Sequence, residues 1–230
     1  MISINAIWIF SLASFAIIAI ILLSLILSSP SFRGKEFSFL RNFPYEYLSS
    51  NKNTLVLFKS LLFVLSGLAF SPLFVITPLI SDFGDLGFLT IFITCIFGLA
   101  AIANMLLFFF DARYTKTHMA LATISMTLTM LANALATLLS ILVYKVYLDR
   151  SDSHASSLVL AIVSGVITLG MLFLIFNPKL TSWAKLEGKE NEDGTKTYAR
   201  GKVFVLALSE WIAIALTIIG EIIFFVSILK

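Results

Sequence analysis

The sequence predicts an all-α polytopic membrane protein, a bundle of six transmembrane helices with a small β-hairpin in its fifth, cytoplasmic loop. Three observations carry that prediction. The 230 residues are 59% hydrophobic and 13% charged, with a mean hydropathy of +1.01, whereas soluble domains run about 45–50% apolar and about 25% charged. The apolar residues collect in six stretches of spanning length. Lys and Arg crowd into every second gap between those stretches.

A transmembrane helix needs about 20 mostly apolar residues. The stretches cover approximately 5–28, 55–80, 87–110, 119–142, 157–176 and 203–229, within one integral membrane domain, 1–230. The first differs from a secretion signal. No base precedes its apolar run, the run is too long, and Ser28-Ser29-Pro30-Ser31 is a poor cleavage site, so it reads as a retained span. In the second, Pro72 and Pro78 are expected to bend the helix. The 22 Phe residues, with runs such as Phe108-Phe109-Phe110, suit lipid contact.

The charges give the orientation. Arg33, Lys35, Arg41 and Lys52 follow the first span, with Lys59 just inside the second. Arg113 and Lys116 lie in the third connection; Lys179, Lys185, Lys189, Lys196, Arg200 and Lys202 lie in the fifth. The opposite side has Lys145, Arg150 and Lys230 alone. Basic short loops stay cytoplasmic, which makes 29–54 and 177–202 cytoplasmic and puts both termini outside a plasma (inner) membrane. The connections are long, short, short, short, long, and no internal repeat is visible. That weighs against a carrier built from two inverted halves.

Two acids lie well inside a span, Glu210 and Glu221. Eleven residues at about 100° each return to nearly the same helix face, which also carries Ala207, Ala213, Thr217 and Gly220. An ionisable group at mid-membrane costs at least about 2.5 kcal/mol and points into protein or a wet cavity. The face is therefore expected to be buried. Lys59 matches Glu210 in depth and Lys145 matches Glu221, so each is an expected partner. Asn133, with Ala122, Thr129, Ala136, Thr137 and Ser140, and Asn104, near Thr90, Thr94, Gly98 and Ala101, offer complementary faces for close helix packing. Glu210, Glu221, Lys59, Asn104 and Asn133 form the candidate intramembrane polar site.

The two long loops are the other candidates. The stretch 31–48 interleaves bases with rings, so Arg33, Lys35, Arg41, Tyr45 and Tyr47 are expected at the headgroup level against anionic lipid. In the fifth loop, Trp183 to Lys189 and Thr195 to Arg200 flank Asp193-Gly194, a turn dipeptide. Trp183 and Lys185 complete a candidate surface for lipid or for a membrane or cytoplasmic protein partner.

Standard chemistry finds no foothold. The single Cys95 excludes an internal disulfide or a cysteine cluster, and His118 and His154 fall on opposite membrane sides. No metalloprotease, nucleophile-elbow or phosphate-loop motif occurs. No catalytic residue, metal or cofactor is expected. The net charge of +3 belongs to juxtamembrane loops and indicates no nucleic-acid partner. The expected function is a non-catalytic membrane scaffold or accessory subunit. The alternative is a small ion-coupled permease using Glu210 and Glu221, and the second alternative is an intramembrane enzyme acting on lipid.

The orientation is testable directly. Cysteines placed at Ser31 and Thr195 should be shielded from an impermeant thiol reagent in intact cells, and one at Ser151 should react. Labelling of either long loop from outside would reverse the assignment.

Overall fold

The computed structural model describes residues 4–29, 37–50, 55–71, 73, 85–110, 115–149, 155–177, 187–190, 196–199 and 203–228. The helices among them are α1 (Ile4–Ser28), α2 (Pro44–Ser50), α3 (Leu55–Leu68), α4 (Asp85–Leu106), α5 (Thr115–Asp149), α6 (Ala155–Ile175) and α7 (Val205–Ile228). Five of these, α1, α4, α5, α6 and α7, are long and apolar enough to cross a membrane. The protein is a helical, membrane-embedded bundle. Helix α5 is the hub, packed against α4, α6 and α7, while α1 lies against α3 and α7.

The lipid-facing surface is built from large apolar side chains. On α6 the outer stripe is Ile162, Val166 (62% exposed), Leu169 and Phe173 (73% exposed); the inner stripe is Ala161, Ser164, Ile167 and Met171. Hydrocarbon solvates the large side chains as well as a core does. Packing then selects small residues that let backbones approach. The same logic puts Ser125, Thr129 and Asn133 of α5 inside, all fully buried.

Helix α3 covers only the first part of the predicted second span. Its 14 residues rise about 21 Å, short of the roughly 30 Å hydrocarbon core. The ladder then tightens through Ala69 N–H to Leu65 O and Phe70 N–H to Gly67 O, followed by Leu73 N–H to Phe70 O. This turn lays the Phe70 ring on the Cα of Gly98 in α4, where no side chain would fit. Pro72 and Pro78, the expected bend sites, fall outside the described residues.

The segment 37–50 differs from the expected interfacial loop. Asn42 Oδ1 accepts Ser38 N–H at 2.9 Å, and Asn42 Nδ2 donates to Glu46 Oε2 at 3.1 Å. Glu46 also accepts Phe43 N–H at 2.8 Å, one half of a capping box. Pro44 then opens α2 at the position that needs no donor. So stiffened, the segment folds under the bundle. Phe204 N–H donates to Leu40 O at 2.7 Å and Trp211 Nε1–H to Asn42 O at 2.8 Å. Phe37, Phe43 and Tyr47 are buried, with Phe37 and Tyr47 in a cluster that includes Phe58, Phe108 and Trp211. Lipid contact at Tyr47 is thereby corrected: its ring meets Phe37 and Phe58, not the headgroups.

Farther along, β1 (Glu187–Glu190) and β2 (Lys196–Ala199) pair antiparallel, with Glu187 opposite Ala199 and Glu190 opposite Lys196. Asp193-Gly194 lies outside the described residues.

Two glycines separate packing from propensity. A Cβ at Gly220 would overlap the side-chain amide of Asn133, whereas Gly67 has nothing within 4 Å. Gly220→Ala should therefore lower stability in detergent unfolding by about 1–3 kcal/mol, the usual cost of overpacking. Gly67→Ala should be neutral or raise it by up to about 1 kcal/mol, because Ala relieves the entropy cost of a helical Gly.

Candidate functional site: a buried polar seam beside an apolar cavity

Helix α7 presents Leu206, Glu210, Ala213, Thr217, Gly220 and Phe224 at alternating spacings of four and three. Helix α5 presents His118, Ala122, Ser125, Thr129, Ala132 and Ala136 in the same way. This is the a/d repeat by which two helices pack along a seam. The two run in the same direction, since His118 meets Glu210 near one end and Asn133 meets Gly220 farther along.

At the centre the hydrogen bonds leave one consistent set of donors. Thr217 Oγ1–H donates back to Ala213 O at 2.8 Å. Its oxygen therefore accepts from Asn104 Nδ2 at 2.8 Å and from the Thr129 hydroxyl at 2.6 Å. Ser125 Oγ–H donates to Asn104 Oδ1. Asn104 thus joins α4 to both partners. Each such bond in a bundle is worth about 0.6–2 kcal/mol, so the knot fixes register more than it supplies stability. Asn133 adds a local bond, donating to Thr129 O at 2.9 Å.

At the α5 start, Glu210 Oε1 lies 2.9 Å from His118 Nε2, and His118 Nδ1 lies 2.9 Å from Phe110 O. A carbonyl oxygen only accepts, so Nδ1 carries a hydrogen. Either the imidazole is neutral and a protonated Glu210 donates to Nε2, or an imidazolium donates to the carboxylate. One proton bridges the pair in both cases, and the pair is neutral overall. The rings of Phe43 and Tyr45 meet the imidazole edge-on, with centroids 5.3 and 5.4 Å away. The folded-under segment therefore closes this end of the seam.

Glu221 is different. It is 1% exposed, and neither carboxyl oxygen has a hydrogen-bond partner among the described residues. It borders a cavity of about 590 Å³ between α1, α3, α4 and α7. Phe15, Leu22, Phe58, Leu65 and Ile218 give the walls their carbon character, and Trp211 lies toward the opposite end from Glu221.

The seam brings together Glu210, Asn104 and Asn133, with Glu221 on the adjoining wall. It does not include Lys59, and the expected Lys59–Glu210 contact is corrected. Helix α3 packs against α1 and α4, so the Lys59 ammonium lies 5.0 Å from the Phe109 ring centroid, while the seam hands Glu210 to His118. Lys145, the expected partner of Glu221, is exposed. Of the loop candidates, Arg41 is exposed and Tyr45 half-buried against Phe43. Arg33, Lys35, Trp183 and Lys185 lie outside the described residues. The residue that sequence reasoning missed is His118. Its signal was present: the face of Ala122 and Thr129, extended four residues back, lands on it.

Removing one member of a buried pair typically costs about 3–5 kcal/mol. Glu210→Leu and His118→Leu should each lose about that much in detergent unfolding, and the double variant should lose clearly less than their sum. Lys59→Met should add independently to Glu210→Leu. A Lys59–Glu210 coupling with His118 uncoupled would reverse the assignment.

The chain matches no family model, and no curated protein or solved structure matches it. Its functional reading rests on the seam and the cavity.

Proposed function

We propose that the protein is a small carrier of the plasma membrane that couples proton movement to movement of a second solute. The single observation behind this is Glu221, a buried carboxyl without a hydrogen-bonding partner among the described residues, bordering a ligand-sized cavity. A purely structural acid would be expected to hold hydrogen bonds, because an unpaired buried charge costs several kcal/mol and an unpaired neutral acid still costs about 1–3 kcal/mol. A group retained at that cost is suited to gain and lose a proton or a countercharge during a cycle. The Glu210–His118 pair, with its one shared proton, supplies a second proton-bearing station about 16 Å along α7 by the helix rise.

In this reading six spans cross the membrane, α3 with the residues after it forming the second. Both termini lie outside, and the basic loops, including the strand pair, face anionic headgroups in the cytoplasm. The accessory-subunit expectation depended on those loops as a docking surface. Phe43 and Phe37 of the first loop pack instead on His118 and Trp211, so the buried acids are the better support.

The test needs no knowledge of the solute. Protein reconstituted on a solid-supported membrane should give a transient current on a proton-concentration jump. Glu221→Gln should remove most of that current at equal reconstituted amount and unchanged thermal stability. A wild-type protein without current, or a variant with an unaltered one, would contradict the carrier reading.

A further inference from the structure

We infer that the cavity between α1, α3, α4 and α7 binds a lipophilic monocation, a single-chain alkylamine in class, with its ammonium on Glu221. Identifying this molecule as the carried solute rests on the carrier reading; the binding site itself stands on the cavity.

Shape is the first argument. The volume of about 590 Å³ lies inside the range of roughly 300–1,000 Å³ typical of small-molecule sites. On α7 the lining runs from Leu208 to Ile222, about 21 Å along the helix axis. The space is long, walled by hydrocarbon and has its acid toward one end. That matches a chain with one polar head.

The second argument is which polar groups beside the cavity remain unpaired. Four lining residues other than Trp211 carry polar side chains: Ser66, Asn104, Thr217 and Glu221. Ser66 donates to Leu62 O at 2.9 Å, and Asn104 and Thr217 are held in the seam. Glu221 alone among the four has no hydrogen bond from its side chain among the described residues. Among the described lining residues it is also the one titratable side chain, with no Lys, Arg or His beside it. A buried carboxylate in such surroundings is stabilised by a countercharge, which a cationic ligand would supply.

Other ligands fit less well. Calcium and magnesium take six or more oxygens, and no group of three His, Cys, Asp or Glu side chains capable of holding a metal occurs among the described residues. A fatty acid would set two carboxyl groups together. A neutral lipid chain would fill the volume and leave Glu221 unpaired.

The cavity contains its own reporter in Trp211. With Trp8→Phe and Trp183→Phe as background, the full chain in lipid nanodiscs is titrated with ω-bromododecylamine and with ω-bromododecanol, against empty nanodiscs. The amine should quench Trp211 saturably, at a concentration at least tenfold below that of the alcohol. Glu221→Gln should erase that preference. Ala19→Phe, which fills the cavity without touching the acid, should abolish saturable quenching by both probes. Equal quenching by amine and alcohol in the wild-type cavity would overturn the inference, as would an amine preference that survives Glu221→Gln or Ala19→Phe. Loss of amine binding with the proton-jump current intact would sink this inference alone. A missing current with amine binding intact would sink only the carrier reading.

Discussion

The structure depends on one constraint: in hydrocarbon, burying an apolar side chain gains almost nothing, while an unsatisfied polar group remains costly. The bundle is therefore organised around its few polar side chains. Asn104, Ser125, Thr129 and Thr217 satisfy one another across three helices. Ala122, Ala132, Ala136, Ala213 and Gly220 hold those helices close enough to do so. On α6 the bulky Ile162, Val166, Leu169 and Phe173 lie on the outer surface.

The two acids illustrate different outcomes of that constraint. Glu210 sits where the folded-under segment and the start of α5 converge, and a histidine with its other nitrogen committed to Phe110 O completes it. Glu221, eleven residues on, borders instead the cavity that Ile218, Ile222 and residues of α1, α3 and α4 also line. The difference is one of surroundings, since both are glutamates on the same side of one helix. A hydrogen-bonded pair at one end and an unpaired acid at the other are the basis of the proposed carrier.

Much of this was legible in the sequence. Apolar length located the five long helices, and the eleven-residue spacing put Glu210 and Glu221 on the buried side of α7. The small residues around Asn133 marked the matching face of α5. Partner identity was not legible in the same way. Depth matching favoured Lys59 for Glu210 because both charges lie near the same boundary, but depth says nothing of which helices touch. The heptad alignment of α5 with α7 decided in favour of His118. The loop rings were misread for a related reason: alternating bases and aromatics are consistent with an interface, yet Asn42, Pro44 and Glu46 stiffen the segment into a cap that buries Phe43 and Tyr47. The cavity had no sequence signal at all, because it is formed by the gap between four helices.

The central claim is that Glu221, unlike Glu210, keeps a buried carboxyl without a hydrogen-bond partner among the described residues, beside an apolar cavity. A hydrophobic carbodiimide reaches such carboxyls from the lipid phase and leaves a stable acylurea that peptide mass spectrometry can place. The account predicts an adduct on Glu221 that a long-chain amine suppresses, with Glu210 unmodified behind its histidine. An unmodified Glu221, or equal modification of both acids, would contradict it.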